Sequence, residues 1–428
     1  MGAAGRQEGM NSGALLIHVT GQDRPGVTHA LMSVLARHGA RVLDVGQAVI
    51  HDALALGILV ELTAALRAST MMTDLLLEAH RLGVQIRYTE ASADRYAQWV
   101  GQQRKRRYLA TALGRRLDAE ALAAVAGEIA RAGLNIDRID RLSARMPLEV
   151  AAGAPSVCVE FTASAANAGF EPDEGALRTG LARLAGETGI DIAFQHDSIW
   201  RRHRRLVAFD MDSTLIQGEV IDELAAEAGV GEPVRRVTEA AMRGELDFGQ
   251  AFRQRVALLR GLREEALQRV VERIPLTEGA ERLARTLKRL GYRMAILSGG
   301  FTFFGRVLQE RLGIDYLHAN TLVVRDGVVT GEVAPPVVDG QEKARRLRAL
   351  AAQEGLDLEQ CIAVGDGAND LPMLRLAGLG IAFRAKPVVR AGARQSLSTV
   401  GLDGILYLLG LRDRETAMEA EGAGQPSG

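Results

Sequence analysis

Two aspartates just after an apolar run are the residues of this 428-residue chain best suited to chemistry. Asp210 and Asp212 follow the run at 206–209, which has the character of a buried strand. Because side chains alternate along a strand, residues two apart lie on the same side of a sheet. Two close carboxylates repel each other unless a cation or a shared proton relieves the charge. The pair therefore predicts metal-assisted chemistry at the end of a strand.

Three later segments carry groups that would complete a site for phosphoryl transfer. Cleavage of a phosphate ester needs a nucleophile, a proton donor for the leaving oxygen, and cations for the phosphoryl oxygens. Taken singly, each segment has an ordinary explanation as a turn, a helix cap or a surface lysine. Their common position at strand ends or helix starts favours one shared site. They contain Ser298, Gly299 and Gly300 after the apolar run at 294–297, Lys343 in a helix predicted from about 341, and Asp366 and Asn369 after the apolar run at 361–364.

Each of these groups has a role that its chemistry allows. Asp210 can be the nucleophile, since carboxylates form covalent aspartyl phosphates, and Asp212 can carry the proton. Mg²⁺ takes oxygen ligands that include one or two carboxylates, which suits Asp210, Asp366 and the backbone carbonyl of Asp212. Lys343 would neutralise phosphoryl charge. Ser298 would donate a hydrogen bond to a phosphoryl oxygen, as would the next backbone amide.

The four segments, in this order, resemble the four motifs of the haloacid dehalogenase-type phosphatases, from Arg205 to about Leu411. Within that superfamily the chain is similar to phosphoserine phosphatases that carry N-terminal ACT domains. The resemblance implies Mg²⁺-dependent hydrolysis of L-phosphoserine to L-serine and phosphate through an aspartyl phosphate, the last step of serine biosynthesis. The alternative is a related phosphatase or phosphotransferase that acts on another small phosphate ester or on a phosphoprotein.

A helical insertion, here called the cap, is predicted at about 218–274, where the pattern contains helices only. The resemblance implies that Glu219 holds the ammonium group of the substrate and that Arg255 holds its carboxylate, which suits the planar arginine fork. Met242 and Phe248 would close the pocket against water. Without the resemblance, the two apolar residues would be interpreted as core and the two charged ones as solvated. Further substrate contacts are implied for Ser298, Gly299, Gly300, Lys343 and Asn369.

Strands alternate with helices in the second half of the chain, which predicts an α/β fold with a doubly wound parallel sheet. In such folds ligands bind beyond the carboxyl ends of the strands. The phosphatase domain is expected at 203–412, and the segments 1–13 and 413–428 are expected to be disordered. The strands are predicted at 205–209, 293–297, 361–364 and 379–383, with a hairpin at 322–329.

A weak internal repeat marks the first half of the chain. The run at 36–39 recurs at 130–133, and each copy has the pattern strand, helix, strand, strand, helix, strand. The two copies, at 14–95 and 106–198, resemble ACT domains, which are ferredoxin-like βαββαβ modules that bind amino acids. The resemblance implies regulation by L-serine and a homodimer built through these domains.

The turn between the first strand and the first helix, at 21–26, is a candidate site for the regulatory ligand. Such a turn exposes backbone amides that can bind a carboxylate. The alternative is that its glycines and Pro25 only shape the turn. The second copy lacks the Pro-Gly pair at 114–118, which argues against the same binding there. The residues assigned to the site are Gly21, Asp23, Arg24 and Gly26.

Composition argues against several classes of protein. The net charge of −1 gives no electrostatic reason to expect nucleic acid or an anionic membrane as a partner. Cys158 and Cys361 are too few for a disulfide scaffold or a cysteine-based zinc site, so buried thiols are expected. The longest apolar stretch, 53–60, is too short to span a bilayer, and a cytoplasmic protein is expected. Arginine-rich runs at 104–107 and 201–205 are interpreted as solvated linkers.

Overall fold

The computed structural model describes residues 13–102, 105–145, 156–165 and 169–417. The chain divides into two compact units, with the boundary between Lys105 and Arg106. The first unit holds a four-stranded sheet, and the second holds another four-stranded sheet and a seven-stranded sheet. The predicted fold class, two βαββαβ modules followed by a doubly wound sheet, is confirmed.

The first module is an antiparallel sheet of strand order β2-β3-β1-β4 with helices on both faces. Its elements are β1 (Gly13–Gln22), α1 (Val27–Arg37), β2 (Val42–Ile50), β3 (Ala53–Leu62), α2 (Ala64–Ala68), α3 (Met71–Leu82), β4 (Val84–Ala91) and α4 (Ala93–Gln102). Leu31 of α1 and Leu75 of α3 pack in the core on one face. Helix α4, which the sequence did not predict, covers the other face with Tyr96 and Trp99.

The second module has the same topology, with strand order β6-β7-β5-β8. Its elements are β5 (Arg107–Gly114), α5 (Ala119–Arg131), β6 (Leu134–Arg141), β7 (Val157–Ala165), α6 (Glu174–Thr188) and β8 (Asp191–His196). Tyr108 and Phe161 lie on the face that the two helices cover. Leu113 and Cys158, on the opposite face, belong to the hydrophobic core of the large sheet. Burial on both faces explains why β5 is apolar at consecutive positions, 108–110 and 112–113, rather than at alternating ones.

The large sheet has the strand order β12-β11-β10-β9-β13-β14-β15. Its strands are β9 (Leu206–Phe209), β10 (Arg293–Phe301), β11 (Tyr316–Arg325), β12 (Val328–Ala334), β13 (Cys361–Gly365), β14 (Leu379–Phe383) and β15 (Gln395–Leu397). All neighbours are parallel except the β11–β12 hairpin. Phe209 is paired with Ile296 on one side and with Val364 on the other. The carboxyl ends of β9, β10 and β13, which carry the candidate residues, therefore lie side by side.

The helices of this domain form two groups. The predicted cap consists of α7 (Val220–Glu227), α8 (Gly231–Met242), α9 (Phe248–Leu258) and α10 (Glu264–Arg273). The others are α11 (Ala280–Arg289), α12 (Thr302–Leu312), α13 (Gly340–Gln353), α14 (Leu371–Leu376), α15 (Pro387–Gly392), α16 (Ile405–Leu408) and α17 (Asp413–Ala417). The two connections between cap and sheet are tied to each other, since the amide of Thr277 donates to the carbonyl of Leu215 at 2.9 Å.

The interpretation of 201–205 as a solvated linker is wrong for two of its arginines. Arg201 and Arg204 are only 3% and 5% exposed. Arg201 forms an ion pair with Glu160 on β7, and its Nε donates to the carbonyl of Leu408 at 3.0 Å. Desolvation lowers the pKa of Arg204 to about 10. The segment is buried because it lies between the second module and the large sheet, a placement that local sequence does not reveal.

The prediction of disorder is wrong at the edges of both terminal segments. Gly13 is the first residue of β1, and Asp413 begins α17. The carboxylate of Asp413 accepts hydrogen bonds from the hydroxyl of Tyr407 at 2.9 Å and from the amide of Ala144 at 2.6 Å. These contacts order a segment whose composition is typical of a loose tail. Residues 1–12 and 418–428 lie outside the described part of the chain, so their disorder stays a prediction.

Both cysteines are buried and free, as the sequence predicted. Burial raises the pKa of the Cys361 thiol to about 11. Across the four described ranges of the chain, no helix combines the length and the apolar character that a bilayer crossing requires.

Candidate active site

The centre of the site is the buried ammonium group of Lys343. Its Nζ lies 2.9 Å from Oδ1 of Asp210 and 2.6 Å from Oδ1 of Asp370. Helix α13 supplies the lysine from its first turn, where the carboxylate of Asp339 caps the helix by accepting the amide of Glu342 at 2.8 Å. Although desolvation lowers it, the charges of Asp210 and Asp370 raise the pKa of Lys343 above its ordinary value. The lysine therefore stays charged in the interior.

Three carboxylates meet beside this lysine. Oxygen atoms of Asp210, Asp366 and Asp370 all lie within 4.8 Å of one another. Desolvation, followed by the charge of Asp210, raises the pKa of Asp366 to about 8 and that of Asp370 to about 6. One ammonium does not balance three carboxylates, so the cluster fits a divalent cation, and its donors are the hard oxygens that Mg²⁺ takes. Asp370 is missing from the ligands that the sequence predicted, although it follows Asp366 and the half-buried Asn369 in the same motif.

Asp212 lies in one wide helical turn, Met211–Leu215, which follows β9. Its Oδ1 accepts the amide of Val220, the first residue of α7, at 2.9 Å. Gly300 makes room for the carboxyl group, because a Cβ at that position would lie 2.3 Å from Oδ2 of Asp212. Desolvation, with the charges of Glu219 and Asp210, raises the pKa of Asp212 well above its ordinary value. The group is suited to holding and releasing a proton.

The Ser-Gly-Gly segment is part of β10 rather than a loop after it, because the strand continues to Phe301 with a bulge. Ser298 is fully buried, and its Oγ accepts the amide of Gly300 at 2.9 Å. Asn320 on β11 holds the segment, since its Nδ2 donates to the carbonyl of Gly299 at 2.8 Å. The Oδ1 of Asn320 accepts the amide of Val338 at 2.8 Å. Sequence reasoning missed Asn320 because it lies in no motif.

Two hydroxyl groups of the turn after β9 contact acidic residues. Thr214 donates through Oγ1 to Oδ1 of Asp366 at 3.2 Å, and Ser213 donates through Oγ to Oε1 of Glu219 at 3.2 Å. Ser213 has a φ of 54°, a left-handed conformation that residues other than glycine rarely adopt. Its amide donates to the carbonyl of Gly218 at 2.9 Å, which helps to hold that conformation. Outliers of this kind are concentrated at functional sites.

The charged cap residues lie close enough to the acidic cluster to influence one another. Desolvation and the charge of Asp210 raise the pKa of Glu219, whereas the positive charge of Arg255 lowers it. Arg255 is half-buried, and its Nε is buried without a hydrogen-bond partner in the described part of the chain. A buried donor without a partner is unfavourable, so the guanidinium can accommodate a ligand. Met242 ends α8 and Phe248 begins α9, but the side chains of both lie outside the described structure.

Each of the three sheets lies, wholly or in part, in a region that matches a known family. Residues 207–375 match the haloacid dehalogenase-like hydrolase family. Residues 14–89 and 108–195 each match an ACT domain family, so the two modules are the first and second ACT domains.

Two relatives match nearly the whole chain. A phosphoserine phosphatase of Streptomyces coelicolor is 45% identical over 406 residues, which cover 94% of this chain and 93% of the relative. A phosphoserine phosphatase of Mycobacterium tuberculosis is 41% identical over 414 residues, which cover 96% of each chain. The chain belongs to the phosphoserine phosphatase family. It is therefore a hydrolase with the haloacid dehalogenase-like fold.

Solved structures show the same fold as this member of the phosphoserine phosphatase family. A haloacid dehalogenase family hydrolase of Salmonella enterica matches with a TM-score of 0.60 at 30% identity, over 70% of this chain and 98% of that one. A probable phosphoserine phosphatase of Vibrio cholerae matches with a TM-score of 0.56 at 34% identity, over 74% of this chain and 89% of that one.

In the first ACT domain of this phosphoserine phosphatase family member, the turn at 21–26, the candidate site for the regulatory ligand, is largely exposed. Asp23 and Arg24 are exposed. Gly26 precedes α1 with a φ of 93°, and no side chain caps the helix. Gly21 has a packing role, because a Cβ there would lie 2.9 Å from Cγ1 of Val84. Gly21 is thus explained by packing and Gly26 by the shape of the turn, whereas the uncapped helix start leaves amides that an anion can use.

Proposed function

We propose that this chain hydrolyses L-phosphoserine to L-serine and phosphate, as the last step of serine biosynthesis, through a phosphoryl group carried on Asp210. The observation that carries the proposal is the buried ion pair between Asp210 and Lys343. Two residues after Asp210 lies Asp212, a carboxyl group whose pKa is raised. The names of both full-length relatives specify phosphoserine, which supports the same substrate here.

Asp210 is the group best placed to attack phosphorus. Its Oδ1 accepts the amide of Met211 at 2.7 Å and lies 2.9 Å from Nζ of Lys343. Because both of these contacts are made by Oδ1, we propose that Oδ2 is the oxygen that attacks. Its attack forms an O–P bond and breaks the P–O bond to the serine oxygen. The charge of Lys343 stabilises the phosphoryl oxygens as negative charge develops on them.

Asp212 carries the proton in both halves of the reaction. The leaving serine oxygen takes the proton of the Asp212 carboxyl group, so that serine departs as a neutral alcohol. The resulting carboxylate takes a proton from the water that attacks phosphorus, which releases phosphate and restores the carboxylate of Asp210. Because Oδ1 of Asp212 is held by the Val220 amide, Oδ2 is the oxygen available for this exchange.

The cluster of Asp210, Asp366 and Asp370 would hold the metal ion, together with the backbone carbonyl of Asp212. When bound, Mg²⁺ supplies positive charge to the phosphoryl oxygens. Lys343 contacts Asp210 and Asp370 at once and thereby fixes the distance between these two carboxylates. Thr214 orients Asp366 through its hydrogen bond.

The cap supplies the groups that would recognise the amino-acid part of the substrate. Arg255, with its buried and unpartnered Nε, is proposed to bind the carboxylate, and Glu219 the ammonium group. Met242 and Phe248 are proposed to close the pocket over them. One cationic and one anionic side chain complement a zwitterion, which favours an amino-acid ester over the alternatives, another small phosphate ester or a phosphoprotein.

Ser298 and its neighbours are proposed to bind the phosphoryl group. The Oγ of Ser298 accepts the Gly300 amide, which leaves the hydroxyl hydrogen free to donate to a phosphoryl oxygen. The amide of Gly299 is proposed as a second donor, and Asn369, which follows the carboxyl end of β13, as a further polar contact.

The first ACT domain is proposed to bind L-serine at the turn with the uncapped helix start, and so to regulate the phosphatase. A homodimer is proposed through the ACT domains. Strand β2 is the edge of its sheet and is exposed along most of its length, with Val45 50% and Ile50 66% exposed. Exposed apolar edge strands readily pair with a second chain.

A substrate panel tests the proposed function. Phosphate release would be measured with Mg²⁺ on L-phosphoserine, O-phosphoethanolamine, p-nitrophenyl phosphate and a phosphoserine peptide, each with and without free L-serine. The proposal predicts the highest kcat/KM on L-phosphoserine and inhibition or activation by L-serine. Faster cleavage of the peptide, or transfer of the phosphoryl group to an added alcohol in place of phosphate release, would favour the alternatives instead.

A further inference from the structure

The strand-to-helix turns of the two ACT domains end in different ways. In the first domain, no side chain caps α1. In the second domain, Asp118 caps α5, because its Oδ1 accepts the amide of Ala121 at 2.9 Å. An anion that approached the start of α5 would meet this carboxylate, so the second turn does not repeat the ligand site of the first.

The turn of the second ACT domain instead contacts the phosphatase domain. Arg115 donates through one guanidinium nitrogen to Oε1 and Oε2 of Glu278, at 2.6 Å and 2.5 Å. Arg384, from the end of β14, donates to the same carboxylate at 3.2 Å. The backbone of Glu278 is also held, since its carbonyl accepts the amide of Leu402 at 2.8 Å. Glu278 is thus the point where the ACT domain, the sheet and the last connection of the cap meet.

Glu278 ends one of the two connections that join the cap to the sheet, which we call the cap hinge (215–219 and 274–278). Within the hinge, Ile216 forms an antiparallel bridge with Leu276. The side chain of Gln217 donates to the carbonyl of Leu276 at 3.0 Å. The amide of Thr277, next to Glu278, donates to the carbonyl of Leu215. The two connections therefore move together.

The hinge continues directly into the turn at Met211–Leu215, which contains the proposed proton carrier Asp212. Leu215 closes the turn that contains Asp212, and Val220, just beyond the hinge, donates its amide to the Asp212 carboxylate. A displacement of Glu278 would therefore affect Asp212 in two ways, through Leu215 at the end of its turn and through the Val220 amide bound to its carboxylate. The residue that restrains Glu278 from the ACT side is Arg115.

We propose that Arg115 is a positioning residue, which holds the cap hinge in register with the Asp212 turn through Glu278. The second ACT domain then holds the cap hinge through its strand-to-helix turn, whereas the equivalent turn of the first domain stays open for a ligand. The activity readout of this proposal rests on the proposed function, whereas the geometry of the hinge does not.

Kinetics of four variants test the proposal: Arg115→Ala, Arg115→Lys, Glu278→Ala and the double variant Arg115→Ala with Glu278→Ala. The pair is partly exposed, with side chains 42% and 49% accessible, so we expect Arg115→Ala to lower kcat/KM on L-phosphoserine by roughly two- to fivefold. Arg115→Lys should restore part of the loss, because it keeps the positive charge on a shorter side chain. In the Glu278→Ala background, loss of Arg115 should have no further effect.

Arg116→Ala is the matched control, because Arg116 is exposed in the same turn and forms no ion pair with any described residue. Its kcat/KM should equal that of the wild type. Equal losses in the two arginine variants, or a full Arg115 effect that persists without Glu278, would overturn the proposal.

Hydrogen exchange separates this proposal from the proposed function. In Arg115→Ala, and not in Arg116→Ala, the amides of Gln217 and Thr277 should exchange faster. If the wild-type protein fails to cleave L-phosphoserine but this difference is seen, the proposed function fails and the positioning role stands. If exchange at the hinge is unchanged in Arg115→Ala, the positioning role is wrong whatever the substrate.

Discussion

Arg201, in the segment that joins the second ACT domain to the large sheet, pairs with Glu160 on β7 in the interior of the protein. The two side chains are 4% and 8% exposed. Arg201 also donates through Nε to the carbonyl of Leu408 at 3.0 Å and through Nη2 to that of Tyr407 at 3.2 Å. The pair thus links the ACT sheet to the last helices of the phosphatase domain, and the two domains share one interior.

Removal of Glu160 should destabilise both domains together. Glu160→Ala leaves Arg201 buried without its ion-pair partner, which typically costs about 3–5 kcal/mol. Urea unfolding followed by the fluorescence of Trp200, in a Trp99→Phe background, would report this loss. Glu187→Ala, which removes the exposed partner of Arg183, should leave the stability nearly unchanged. A Glu160 variant as stable as this control would show that the interior pair does not hold the domains.

Gly300→Ala should reduce turnover without unfolding the protein. The added Cβ would lie 2.3 Å from Oδ2 of Asp212 and 2.5 Å from Cε of Met211, so the carboxyl group must move. A misplacement of about 1 Å can lower kcat by about 100-fold. Gly186→Ala is the control, because Gly186 lies in α6 with no neighbour within 4 Å of the added atom. Wild-type kcat in Gly300→Ala would mean that Asp212 does not need its observed position.

Asp370→Asn should weaken both metal binding and catalysis. The change removes one of the three clustered carboxylates and one of the two charged partners of Lys343. We expect the affinity for Mg²⁺, read from the metal dependence of kcat/KM, to fall about 10–100-fold. Asp326→Asn, at an exposed hairpin turn, should leave the metal dependence unchanged. An unaltered Mg²⁺ requirement in Asp370→Asn would place Asp370 outside the metal site.

Arg255→Ala should discriminate between substrates. Loss of a charge-assisted hydrogen bond to the substrate carboxylate, worth about 1.5–3 kcal/mol, predicts a fall of about 10–100-fold in kcat/KM on L-phosphoserine. O-phosphoethanolamine lacks that carboxylate. Its kcat/KM should be lower than that of L-phosphoserine in the wild type and should change little in Arg255→Ala. Arg253→Ala, an exposed position on the same helix, provides the comparison. Equal losses on both substrates would remove Arg255 from the role of carboxylate ligand.

The site residues whose position in the fold could be predicted from the sequence are those that follow from a strand end. Asp210, Ser298 and Asp366 each follow or end an apolar run, and parallel strands bring such ends to one edge of the sheet. Lys343 comes from a helix start at the same edge. Local pattern and fold topology therefore suffice to bring these four together.

The residues that the sequence missed depend on contacts between distant segments. Asn320 lies in the middle of β11 and matters only because the bulged end of β10 lies next to it. Arg201 resembles a solvated linker residue until the second ACT domain covers it. One signal was available in the sequence: β5 is apolar at consecutive positions, which is typical of a strand buried on both faces.

A phosphoryl group carried on Asp210 is the decisive intermediate of the proposed reaction, and it can be sought directly. L-Phosphoserine and Mg²⁺ would be mixed with the protein, quenched in acid within the first turnovers, and the peptide that contains Asp210 analysed by mass spectrometry. We predict one phosphoryl group on that residue, and an Asp210→Asn protein that is folded, carries none, and has lost about 10⁴-fold or more in kcat. An Asp210→Asn protein that still turns over L-phosphoserine at a rate near the wild type would rule out Asp210 as the nucleophile.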